Sequence, residues 1–140
     1  MKLVLLLTTG VWLGLVIGLS FIEAPLKFQA PGITTELGLG IGRLVFGVLN
    51  KIEIVFSIFF LAALFRQFKS MNKMTVILMV VMIVIIFIQT IFLCPALNER
   101  IAMRLSSEMP PDSNLHFIYI ILEVIKLPVL ITLFIKTFHS

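Results

Sequence analysis

Residues Leu115 to Leu130 read LHFIYIILEVIKLPVL, an apolar run in which Glu123 and Lys126 stand three residues apart. An acid and a base at that spacing lie on one helical face and can pair. In hydrocarbon an ionised side chain costs roughly 2.5–3.5 kcal/mol on insertion scales, so residues of this kind are kept for a reason. Two reasons stay open. The pair belongs to an interhelical ion and hydrogen-bond network that fixes packing, or it lines a solvated pocket where Glu53 or Glu123 accepts a proton or a solute.

Other residues share the pattern. His116, Tyr119, Glu123 and Lys126 follow i, i+3, i+7 and i+10, a stripe down one helical face. A second apolar run carries Asn50, Lys51 and Glu53, and a third carries Gln89. In the second run Arg43, Gly47, Asn50 and Ser57 share a face, with Glu53 at its edge and Lys51 pointing elsewhere. Arg43 is the expected mouth of any pocket.

A helix rises about 1.5 Å per residue, which converts spacing into depth. Counted from Lys136, Glu123 lies about 20 Å and Lys126 about 15 Å along the axis. Counted from Arg66, Asn50, Lys51 and Glu53 lie about 20–24 Å along, and from Lys73, Gln89 lies about 24 Å along. Three runs therefore bring polar groups to one height, and a single polar layer in the outer half of a membrane is expected. Lys51, Glu53, Glu123 and Lys126 sum to zero charge, so that layer demands no bound ion.

The elements that must position these residues follow from composition. Of 140 residues, 60% are hydrophobic and 13% charged, where an ordinary globular domain is about half apolar and a quarter charged. The mean hydropathy is +1.17. A soluble fold this small has too little interior for so much apolar surface. Lipid is the expected solvent.

Crossing hydrocarbon takes roughly 20 mostly apolar residues. Four runs qualify, at about 3–22, 44–65, 74–97 and 115–135. The expectation is one all-α domain over 1–140, a polytopic bundle of four transmembrane helices. The first run follows Lys2 and could pass for a signal peptide, but Phe21-Ile22-Glu23-Ala24 lacks a small-x-small cleavage pattern and retention is expected. One set of span ends carries Lys2, Arg66, Lys69, Lys73 and Lys136; the other mixes Lys27, Arg43, Arg100 and Arg104 with five acids. The basic hairpin RQFKSMNK decides the orientation, so both termini are expected in the cytoplasm of a bacterial-type inner membrane. The net charge of +4 is scattered, which fits topology and headgroup contact rather than nucleic acid.

The connections carry their own signals. EAPLKFQAPGITTELGLGIGR holds Pro25, Pro31-Gly32 and the glycines 38, 40 and 42, and reads as a bent or re-entrant segment at the bundle mouth. CPALNERIAMRL spaces Leu97, Ile101 and Leu105 at i, i+4 and i+8, as in a helix lying on the outer interface. Asp112 or Ser113 is expected to cap the last span, and Pro128 to kink it. Gly10, Gly14 and Gly18 form a small-residue groove on the first span, for a neighbouring helix of the same chain or for a homodimer or partner subunit.

Several chemistries are excluded or disfavoured. Cys94 is the sole cysteine, so no intrachain disulfide or Cys-x-x-Cys pair exists, and apolar neighbours make a thiol inert. His116 and His139 stand more than about 30 Å apart along a helix, too far for a bis-histidine haem. The glycine run lacks a preceding strand and the Lys-Ser/Thr of a phosphate loop, and neither His-Glu-x-x-His nor Gly-x-Ser-x-Gly occurs. The methionines between Met71 and Met103 read as adaptable packing. No metal and no cofactor is expected.

With FIEAPLKFQAPG, GRLVFGVLNKIEI, CPALNERI and HFIYIILEVIK in view, the chain resembles the small bacterial four-span membrane proteins of unknown function. Some distant relatives of that broad group are described as anthrone-oxygenase-like. The resemblance spans nearly the whole chain by general layout, implies four helices and carries over no functional residue. The expected role is non-enzymatic: binding or passage of a small polar solute, or service as an accessory membrane subunit. The rival reading is a small oxidoreductase binding quinone or haem among His116, Tyr119 and Glu123.

Overall fold

The computed structural model describes residues 1–111 and 113–140. Four helices long and apolar enough to span a membrane make up the chain: α1 Lys2–Gln29, α2 Thr35–Gln67, α3 Lys73–Leu105 and α4 Leu115–His139. No strand occurs among the described residues. The all-helical, four-span expectation therefore stands.

Burial is inverted relative to a soluble bundle. Leu3, Leu7 and Val11 of α1 are exposed at i, i+4 and i+8, as are Phe117, Ile121 and Ile125 of α4. Apolar stripes face outward because hydrocarbon is the solvent there, and each helix satisfies its own backbone. Inside, Leu5, Trp12, Phe60, Ala63, Met79, Met82, Leu130 and Leu133 form the apolar core. Trp12 packs within it, its ring centroid 5.4 Å from Phe56 and 5.2 Å from Phe60.

Two expectations about the outer segments are corrected. The glycine run forms no re-entrant loop: α2 starts at Thr35 and runs unbroken through Gly38, Gly40 and Gly42. Thr34 caps it, accepting from Leu37 N at 3.2 Å, so the helix begins nine residues before the apolar run does. Two of the glycines make room for α1. A Cβ on Gly38 would enter the Phe28 ring, and one on Gly42 would lie 2.9 Å from Lys27 Nζ, while Gly40 faces open space. CPALNERIAMRL does not lie flat on the interface either; it continues α3 to Leu105.

The groove along α1 is smaller than its spacing implies. A Cβ on Gly10 would meet Phe134 of α4 at 3.1 Å, but Gly14 and Gly18 have nothing within 4 Å. One glycine packs within the chain; two do not. At the start of α4, Ser113 Oγ accepts from Leu115 N at 3.1 Å, whereas Asp112 lies outside the described residues. The helix continues through Pro128 to His139.

Two wide turns interrupt the α geometry, π-helical over Val16–Glu23 and Gln89–Leu93. A proline follows each, Pro25 and Pro95. A proline supplies no N–H and its ring crowds the carbonyl four residues back, a conflict that a widened preceding turn relieves. Such turns recur at functional sites, and these two hold Ser20, Gln89 and Thr90.

Candidate functional site: a buried carboxylate–ammonium cluster

All four helices supply the site. Lys126 of α4 is fully enclosed and donates to two carboxylates, reaching Glu53 Oε1 and Glu123 Oε1 at 2.7 Å each. Trp12 Nε1 of α1 donates to the same Glu53 oxygen at 2.9 Å. Gln89 Nε2 of α3 donates to Glu123 Oε1 at 2.9 Å, and Ser20 Oγ of α1 donates to Glu123 Oε2 at 2.8 Å. Beside the cluster Asn50 Nδ2 donates to Thr90 Oγ1 at 3.0 Å, tying α2 to α3. Ser57 turns inward and donates to Glu53 O at 2.9 Å.

The charges do not cancel. Glu53, Glu123 and Lys126 are the only buried charged side chains among the described residues, so two carboxyl groups face one ammonium. Their formal sum is −1 when both carboxyls are ionised. Two acceptors in this interior have no hydrogen-bond partner, Glu53 Oε2 and Gln89 Oε1. A buried acceptor without a donor forfeits its hydration for nothing in return, at about 1–3 kcal/mol. The cluster is thus short of positive charge and short of donors at once.

Of the residues singled out in the sequence, Glu53, Gln89, Glu123 and Lys126 converge, with Asn50 alongside. Tyr119 is buried on the same face of α4, its ring edge-on to Phe46 at 5.7 Å. Lys51, Arg43 and His116 are exposed and stand apart. The zero charge sum that included Lys51 is therefore corrected: Lys51 follows Asn50 by one residue, which turns it about 100° away from the inward face. On the outer side Lys27, rather than the exposed Arg43, turns toward α2, 5.5 Å from the Phe46 ring centroid and 3.5 Å from Glu23. His116, Tyr119 and Glu123 do not enclose a common space, since His116 faces outward in the first turn of α4.

Trp12, Ser20 and Thr90 were missed in the sequence. Trp12 is the sole tryptophan, and all three are polar-tipped residues inside apolar runs. Their rotation toward the polar layer was the available signal, but Ser20 and Thr90 lie in the π turns, where a regular 100° step fails. A cavity of about 370 Å³ opens at the opposite end of the bundle, lined by Lys2, Ser70, Asn72, Thr75, Lys136 and Thr137 among others. Among the described residues no three His, Cys, Asp or Glu side chains gather as a metal-ion set.

Comparison of the chain with family models, curated proteins and solved structures finds no match. The site must be read from its own geometry.

Proposed function

We propose that this protein is a non-enzymatic membrane protein that binds or passes a small polar solute bearing positive charge or hydrogen-bond donors, with the Glu53–Lys126–Glu123 cluster as its binding centre. One observation carries the reading: a buried cluster formed by all four helices has one ammonium for two carboxyls and retains two acceptors with no donor. A solute with N–H or O–H groups supplies what is lacking. Intramembrane ionisable residues that face a bundle interior mark solute and proton pathways.

Lys27 and Phe28 pack over Gly38 and Gly42 at the outer end of α2, with the Lys27 ammonium 5.5 Å from the Phe46 ring centroid. Gly14 and Gly18, open on α1, support a docking helix from a second copy or a partner subunit, the form an accessory role would take. The gathering of Lys2, Arg66, Lys69, Lys73 and Lys136 at one set of helix ends supports an inner-membrane location with both termini in the cytoplasm.

Purified protein in lipid vesicles tests the reading with methylammonium as the probe. Uptake should exceed that of empty vesicles and fall at least tenfold in Glu123→Gln, with the folded yield of that variant near wild type. Uptake equal to empty vesicles across small ammonium and guanidinium probes overturns the proposal. So does a Glu123→Gln variant that moves the probe at the wild-type rate.

A further inference from the structure

We infer that the resting cluster holds one proton, carried on Glu53 Oε2. This deepens the proposed solute reading and rests on the same site. A formal charge of −1 enclosed by four apolar helices is costly, and the cheapest neutraliser in a tightly packed site is the smallest cation. Proton binding is balanced simply: hydronium from the aqueous side gives up H⁺, the Glu53 carboxylate becomes a neutral carboxylic acid, and water is left behind.

The hydrogen bonds decide which carboxyl takes the proton. Glu123 accepts from three donors, Lys126 and Gln89 on Oε1 and Ser20 on Oε2. Both of its oxygens are thus already occupied by donors. Glu53 accepts from Lys126 and Trp12, both on Oε1, and its Oε2 is bare. A proton there turns an orphan acceptor into a donor, and Gln89 Oε1 is the other buried acceptor left without one. Gln89 cannot turn its amide over to help itself, because its NH₂ is committed to Glu123.

Among the described residues the surroundings hold no second cation. α1 presents Trp12 and Ser20, α2 presents Asn50 and Ser57, α3 presents Gln89, Thr90 and the half-buried Cys94, and α4 presents Tyr119 with the Glu123–Lys126 pair. Lys126 is the one positive group among them. A cationic solute that enters must then displace the proton, so the site works by exchange.

Infrared spectroscopy of the protein in lipid vesicles at neutral pH reads the protonated carboxyl directly. The expected result is one such group per chain in wild type and none in either Glu53→Gln or Glu123→Gln, because each substitution leaves one carboxylate opposite Lys126. The band should vanish as pH rises, and the emission of Trp12, the only tryptophan, should shift over the same pH range because its N–H sits on Glu53. Absence of the wild-type band overturns the inference, as does a band that appears only when sodium and potassium are removed, which identifies an alkali-cation site. A band that persists in Glu53→Gln also overturns it. A protonated carboxyl in a protein that moves no ammonium probe would leave the proton site standing and sink the solute reading; uptake without the band would do the reverse.

Discussion

At the residue scale, one lysine governs the site. Lys126 neutralises whichever carboxyl is ionised, and its ammonium is the shared donor of both. Removing one member of a buried ion pair costs about 3–5 kcal/mol because the survivor is left uncompensated. Lys126→Met should therefore destabilise the bundle by about that amount, while Glu53→Gln and Glu123→Gln, which each leave a neutral pair, should cost clearly less. Reversible denaturant titration in mixed micelles measures the contrast, and equal losses in all three variants would contradict it. Trp12→Phe keeps the ring among Phe56 and Phe60 but deletes the N–H donor. Interhelical hydrogen bonds in membranes average about 0.6 kcal/mol with a maximum near 1.7, so a loss within that range is expected from the same titration.

At the element scale, helix ends and glycines set how the outer half closes. Gly38 and Gly40 are two residues apart in one helix yet face different worlds, the Phe28 ring and open space. Alanine raises helix propensity by about 0.8–1.0 kcal/mol over glycine. Gly40→Ala should accordingly be neutral or stabilising, whereas Gly38→Ala must push Phe28 aside and should lower the thermal midpoint measured in detergent. A midpoint unchanged in Gly38→Ala would mean that Phe28 is not held there. The four apolar runs were legible in the sequence because hydropathy is a property of a segment alone. The outer extensions of α2 and α3 were not, because Glu36, Arg43, Glu99 and Arg100 interrupt the apolar pattern without interrupting the helix. Past the hydrocarbon a helix needs capping and propensity rather than greasiness, and Thr34 supplies the cap.

At the scale of the whole molecule, orientation is a single binary property. With Cys94→Ser as background, Ser140→Cys should resist a membrane-impermeant thiol reagent added to intact cells, and Ser107→Cys should react with it; the reverse pattern would invert the proposed topology. Hydropathy and spacing alone determined the membrane solvent, four crossing helices and a common height for Glu53, Gln89, Glu123 and Lys126. Each is a sum over local residues, and depth is a count multiplied by a fixed rise. Only tertiary structure decided that Trp12 and Ser20 enter the layer. That outcome depends on how each helix is rotated against three others, and a proline-opened π turn resets the rotation by an amount that no regular period predicts.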